Sequence, residues 1–312
     1  MKMNKQTRRD FLVHSAAAGL AAAGTGDLLA QGAAPAEMAI ARWTGPPQPT
    51  AAELPQIAIK LTERAIAAIG GLKRFIRQGD KVWVKPNIAW DRAPELGANT
   101  NPDVVATIVR LCWEAGAKTV TVGDNTCNVA TATYKSSGIA DAARKAGAQV
   151  VFLDPTRFRE MAIRGERLKT LPVCPEIVES DLVINVPIAK HHRLADVTLC
   201  MKNYMGVIDK RNTLHQAIAE CLADLTRFMR PRLCILDAVR VLPRNGPRGG
   251  DPKDVVLKLA VGAGTDIVAL DAWGAEQLGR KPGDVPTLVE GQKAGLGKLD
   301  YRSLAPKEIA VS

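Results

Sequence analysis

Five short apolar runs, each closed by polar residues, constrain this chain more tightly than any other feature. They are Lys81-Val82-Trp83-Val84-Lys85-Pro86-Asn87, Thr119 to Asp124, Gln149 to Asp154, Asp181 to Pro187 and Arg232 to Asp237. Each is continuously apolar instead of alternating, the pattern of a strand buried on both faces. Helical periods separate them. Leu61 to Ile76 repeats apolar residues at helical spacing. Asn101-Pro102-Asp103 is a helix start, with a capping Asn, Pro in the first position and an acid facing the dipole. Val105, Ile108, Val109 and Cys112 then form one apolar stripe, and Ala115-Gly116 and Ala146-Gly147 end successive helices. Thr213-Leu214-His215-Gln216 reads as a capping box opening a further helix. Strand alternating with helix predicts an α/β fold: a mostly parallel sheet with helices on both faces, in Rossmann-like βαβ units.

Open parallel sheets bind ligands beyond the carboxyl ends of their strands. Lys85 and Asn87, Asp124 and Asn125, Asp154, Lys190 to His192, and Asp237 are therefore expected along one edge. An Asp or Asn after a strand is by itself usually a turn or cap residue. Five polar endings, with a lysine and a histidine pair among them, favour a site. The densest stretch runs from Asn185 to His215 and includes Lys190, His191, His192, Lys202 and Asn203. Of the chain's 4 histidines, all but His14 lie in it. Lys85, Lys190 and Lys202 suit a phosphate or carboxylate held by point charges. His192 and His215, with Asp124, suit proton transfer or a divalent metal. Adjacent His191 and His192 point to opposite sides if extended, so both cannot readily serve one centre.

Composition narrows the classes. Net charge is +10, and only 4% of residues are aromatic, with no basic stretch interleaved by aromatics. A basic surface attracts anions, but a stacking platform for nucleic acid is not expected. The 6 cysteines stand far apart with no C-x-x-C spacing, so the spacing does not support a ferredoxin-type iron–sulfur cluster or a structural zinc. Cys112 and Cys221 fall on apolar helix stripes and are expected in the core. No Walker loop, G-x-S-x-G elbow or G-x-G-x-x-G follows a strand. Gly262-Ala263-Gly264 lacks the third glycine and a convincing strand before it. Asp266 and Asp271 read as a helix-start acid and an interior acid.

The amino terminus is a separate segment. Arg8 and Arg9, followed by Phe11-Leu12, an Ala/Gly-rich apolar stretch to Ala30 and small residues near Gly32 to Ala36, form a twin-arginine leader. Such leaders export proteins already folded, which makes the twin-arginine translocation machinery the expected partner and the periplasm the destination. Lys2, Lys5, Arg8 and Arg9 against Asp10 and Asp27 give the leader +2, so +8 of the +10 stays with the mature chain. The leader is too short and Gly-rich to span a bilayer and no later run is longer, so no integral membrane protein is expected. The organisation reads as leader 1–34, Pro-rich lead-in 35–56, and an α/β domain 57–312 in one body or two lobes.

Taken in order, Lys85-Pro86-Asn87, Thr100-Asn101-Pro102, Gly123-Asp124, Asn185-Val186-Pro187, Lys202-Asn203 with Gly206, His215, Gly246-Pro247 and Asp266 to Asp271 resemble the bacterial and archaeal family called domain of unknown function 362. The resemblance runs from about Val82 to Gly297. Family members are often described as iron–sulfur or cofactor-associated, some through an appended cysteine-rich module; no such module is read here, so the iron–sulfur label is not carried over with the resemblance. The family pattern Asn-x-Pro-Lys-x-Lys-x-His has Ile188 in place of its first lysine here and keeps Lys190 and His192. Three readings follow. The first is an exported enzyme acting on a small anionic molecule with a metal or redox cofactor. In it Lys202, His192 and His215 are catalytic, and Lys85, Asn87, Asp124, Lys190 and Asn203 bind the ligand. The second is a non-catalytic envelope protein binding an anion, metal or cofactor. The third is a subunit of an exported redox complex.

Overall fold

The computed structural model describes residues 35–312, which cluster as one unit. The twin-arginine segment with Arg8 and Arg9 lies outside the described residues. Twelve strands follow in chain order: β1 Met38–Trp43, β2 Lys81–Pro86, β3 Thr119–Val122, β4 Gln149–Val150, β5 Arg159–Ala162, β6 Thr170–Val173, β7 Leu182–Val186, β8 Ile188–His192, β9 Asp196–Thr198, β10 Leu233–Leu242, β11 Val256–Gly264 and β12 Lys307–Val311. The helices are α1 Leu54–Ala68, α2 Pro102–Glu114, α3 Ala130–Ser136, α4 Ile139–Lys145, α5 Pro175–Val178, α6 Cys200–Asn203, α7 Ile218–Met229, α8 Ile267–Gln277 and α9 Pro286–Lys293. The main sheet has the order β12-β1-β11-β10-β7-β2-β3-β4, with β8 joining β10 and β9 joining β8. The pairs from β10 through β7, β2, β3 and β4 are all parallel, and β11 is antiparallel to both β1 and β10. This is an α/β fold with a mostly parallel sheet, as the apolar runs require.

Each central strand feeds two cores, because successive side chains leave opposite faces. On β10, Leu233, Ile235 and Val239 join the core under α1, α2 and α4, while Cys234, Leu236 and Val241 join the core under α7, α8 and α9. α2 starts at the expected cap: Asn101 accepts a hydrogen bond from Asp103 N at 2.8 Å, and Val105, Ile108, Val109 and Cys112 are buried. α8 is buried almost throughout, with Asp266 capping it by accepting from Ala269 N at 2.8 Å. Cys112 and Cys221 are both buried.

Several expectations need correction. The Pro-rich lead-in 35–56 contributes a strand, Met38–Trp43, to the main sheet, with Met38 to Ala41 buried. α1 begins at Leu54, seven residues before the periodic run at Leu61, and ends at Ala68; Leu72–Arg74 forms a separate 3-10 turn. The capping box at Thr213 does not form. Arg211–Ala217 is a 3-10 helix, and α7 opens after Ala217 without a side-chain cap. Gly262-Ala263-Gly264 closes the nine-residue β11. Its small residues are explained by α8: a Cβ on Gly262 would lie 2.6 Å from the Trp273 ring and 2.8 Å from Leu270. Strand and helix approach so closely there that only glycine fits.

Candidate functional site

The register of the central strands builds the floor of the site. Lys85 of β2 is paired with Asn185 of β7, and both side chains are fully buried. Lys85 Nζ lies 2.7 Å from Asp124 Oδ1 and donates to Pro86 O at 2.9 Å and Asn203 Oδ1 at 3.2 Å. Burial pulls this lysine below its ordinary range, and the carboxylate of Asp124 opposes the pull. Asp124 Oδ2 accepts from Ile88 N at 2.7 Å, and the Tyr134 hydroxyl holds the Asp124 backbone. Gly206 closes over the pair. A Cβ there would overlap Asp124 Oδ1 outright and reach within 2.7 Å of Lys85 Nζ.

A chain of amides ties this pair to a second lysine. Asn203 Nδ2 donates to Asn185 Oδ1 at 2.8 Å and Lys85 O at 3.2 Å, and its Oδ1 accepts from Asn87 Nδ2 at 3.0 Å. Asn87 Oδ1 in turn accepts from Lys190 Nζ at 2.8 Å, and Lys190 also donates to Ala98 O. Asn203 and Lys202 stand on the single turn of α6, whose first amides are held from below by a carboxylate. Asp271 of α8 accepts from Cys200 N at 2.6 Å and Met201 N at 2.9 Å. Burial pushes Asp271 up to about 7 despite those bonds.

Above the floor opens a cavity of about 840 Å³. Lys190 is buried at its base and Lys202 half-buried on its wall. Among the described residues the one hydrogen bond of Lys202 Nζ goes to the Met205 sulfur, at 3.3 Å. Desolvation pulls Lys190 down to about 7 and Lys202 down to about 8. Five cations line the cavity, namely Lys190, Arg193, Lys202, Arg211 and Arg248. None of them makes an ion pair among the described residues. The one lining carboxylate is Asp124, already paired with Lys85. Arg211 is held in place by carbonyls, donating to Asn125 O at 3.0 Å and Thr126 O at 2.6 Å.

His191 and His192 are each fixed in one role. His192 Nδ1 accepts from Leu194 N and Ala195 N, both at 3.2 Å, so its ring hydrogen sits on Nε2. Desolvation first, then Lys202 and Lys190, hold it down at about 3. His191 Nδ1 accepts from Gly246 N at 3.1 Å, which likewise places the hydrogen on Nε2. His215 is exposed on the rim, within the 3-10 helix.

Asn87, Asp124, Lys190, His192, Lys202, Asn203 and His215 thus line one cavity. Lys85 does not. It is sealed beneath the cavity by its pair with Asp124 and has no face for a ligand. A metal held by His192, His215 and Asp124 does not fit either. The Nδ1 lone pair of His192 is taken by backbone amides, and both Asp124 oxygens are engaged. Among the described residues no three His, Cys, Asp or Glu side chains gather in a way that could hold a metal ion. Two other strand endings also fall outside. Asp237 lies within β10, which runs on to Leu242, and accepts from Asn101 N at 2.8 Å and Val239 N at 2.9 Å. Asp154 caps a short 3-10 turn far along the sheet edge. Sequence reasoning missed Arg193, Arg211, Arg248, Trp90 and Met205 as cavity residues. Only the Gly246-Pro247 step flagged the loop that carries Arg248.

A mostly parallel α/β protein with an arginine- and lysine-lined cavity at its strand ends is the class these features define. The chain belongs to the family described as Domain of unknown function (DUF362), whose pattern matches residues 82–276. A thylakoid-associated protein of Synechocystis sp. is 27% identical over 256 residues, spanning 78% of each chain. Among solved structures, the lactate racemase apoprotein of Thermoanaerobacterium thermosaccharolyticum superposes with a TM-score of 0.44 at 14% identity, over 70% of this chain and 54% of its own. A Thermotoga maritima protein gives a TM-score of 0.37 at 10% identity, over 80% of this chain and 60% of its own. This chain therefore spans little more than half the length of either solved structure. No helix among the described residues is long and apolar enough to cross a membrane.

Proposed function

We propose that the cavity binds a small anionic molecule and that Lys202 is its principal anchor. The observation that carries this reading is an ammonium drawn out of water whose one hydrogen-bond partner is a thioether. A desolvated charge without a counter-charge is costly, and an anion arriving from solution relieves that cost. Lys190, Asn87 and the Nε2–H of His192 supply further donors, so the lining favours a ligand rich in acceptors. Within this reading the protein is an enzyme, and Lys190 is its acid–base group. A lysine held near 7 by burial can give or take a proton at ordinary pH. His192, held near 3, acts only as a hydrogen-bond donor, and His215 contributes from the rim. The leader with Arg8 and Arg9 supports export of the folded chain to the periplasm by the twin-arginine route.

The test is calorimetric titration of the mature protein with inorganic phosphate, methylphosphonate and short carboxylates. Binding is expected in the wild type, and Lys202→Ala is expected to weaken it by at least about tenfold, the worth of one charge-assisted hydrogen bond. Equal affinity in Lys202→Ala refutes the anchor. Saturable binding with no turnover of any bound compound favours the non-catalytic envelope protein instead.

A further inference from the structure

The charges in the cavity are arranged in two tiers. The inner tier is Lys190 and Lys202, at the base and on the wall. The outer tier is Arg193 and Arg248, both exposed and carried on segments joined by the Gly246 N to His191 Nδ1 hydrogen bond. The half-buried Arg211, clasped by the carbonyls of Asn125 and Thr126, stands within electrostatic reach of Lys202 and belongs to neither end. Apolar groups, those of Trp90, Met205 and Pro247, also line the space. One phosphate or carboxylate neutralises one tier and leaves the other uncompensated. The volume points the same way. About 840 Å³ is the size of cavity that encloses a drug-sized molecule, far more than one oxyanion needs. Among the described residues the lining offers no free carboxylate, since Asp124 is paired with Lys85.

Resting on the anion-binding reading above, we infer that the ligand carries two anionic groups separated by an apolar span, one seated on Lys190 and Lys202 and the other on Arg193 and Arg248. The chemical class is a bis-anion, either a dicarboxylate or a phosphorylated carboxylate. Two linked anions gain over one because the second binds at the effective concentration set by the span. That gain is lost when the span cannot reach both tiers.

The experiment measures affinity on the mature full chain for single anions (butyrate, methylphosphonate) and for two series of increasing length, α,ω-dicarboxylates and ω-phosphonocarboxylates. The bis-anion of best length is expected to bind about 100-fold more tightly than its single-anion counterpart, with an optimum in length. Whichever series gives the larger gain identifies the source of the charge. In the double variant Arg193→Gln, Arg248→Gln the ratio of bis-anion to single-anion affinity should fall toward one. Neither arginine makes a hydrogen bond or ion pair among the described residues, and an unchanged melting temperature will verify that the variant folds. Single and double anions binding alike, or a gain that survives the double variant, overturns the two-tier inference and leaves the anion site standing. Failure of every anion to bind overturns the anion-binding reading itself.

Discussion

Replacing Gly206 by alanine tests whether the Lys85–Asp124 pair is the floor of the site. Gly206 lies in the 3-10 turn Tyr204–Val207, directly after α6. A Cβ at this position would occupy the space of Asp124 Oδ1 and come within 2.7 Å of Lys85 Nζ. The carboxylate must move by more than an ångström, which breaks the 2.7 Å contact with Lys85 in a region where neither side chain meets water. Separating a buried pair costs roughly 3–5 kcal/mol, because each charge is left unsolvated. Alanine recovers about 0.4–1 kcal/mol by restricting the unfolded chain. The net expectation is a loss of about 2–4 kcal/mol, read as a shift in the midpoint of urea unfolding at unchanged slope. Gly283→Ala is the control: nothing lies within 4 Å of a Cβ there, so its effect should stay within about 0.5 kcal/mol. Combining Gly206→Ala with Asp124→Ala removes the overlap with the carboxylate and leaves only the approach to the end of the Lys85 side chain, so the glycine substitution should then cost much less. A loss below about 1 kcal/mol in Gly206→Ala, or an equal loss in the Asp124→Ala background, refutes the reasoning.

Two further outcomes follow from the buried charges. Lys190 and Lys202 sit near 7 and 8 in the folded chain and well above that when unfolded. Between those values and about 10.5 the unfolded chain holds more protons, so unliganded stability rises with pH across that window. For the fully buried Lys190 the rise is on the order of 3–5 kcal/mol, measured by unfolding at pH 7 and pH 10; a flat or falling profile contradicts the assignment. Anion affinity moves the other way, weakening about tenfold for each lysine that loses its proton as pH climbs through 7 to 9, and titration calorimetry at those pH values checks it. Asp271→Asn keeps one acceptor for the two amides of α6 and should cost about 1–3 kcal/mol. Since α6 carries Lys202 and Asn203, anion affinity should fall in this variant as well, and unchanged affinity would show that the carboxylate does not position them.

The fold was legible where strands are built from large apolar residues and illegible where they are not. β2, β3 and β7 announce themselves through Val, Ile, Leu and Trp. β1 carries two alanines among its six residues, and β11 ends in small residues because α8 presses close, as Gly262 shows against Trp273. Their apolar signal is therefore weak although their burial is complete at Ala39, Ala41, Ala260 and Ala263. The capping box at Thr213 fails for a local reason: the Thr213 hydroxyl donates to Lys210 O at 2.8 Å inside the 3-10 helix Arg211–Ala217 instead of capping α7.

The site shows a different limit. Residue types and strand ends identify which polar groups gather, but they do not say which charge is already spent. Lys85, Lys190 and Lys202 look equivalent in the sequence. Folding pairs Lys85 with Asp124, leaves Lys190 on neutral oxygens and leaves Lys202 against a thioether. Their capacity to hold an anion is set by that difference. A paired lysine gains little from a ligand, whereas an unpaired one recovers the cost of its own burial. The histidines divide by the same logic, since backbone amides occupy one nitrogen of His191 and of His192 and fix each as a donor. What selects the ligand is thus the set of charges the fold leaves unanswered. In this chain those are two lysines at depth, a carbonyl-held Arg211 within reach of Lys202 and two exposed arginines, which is why a ligand with one negative group satisfies only half of the cavity.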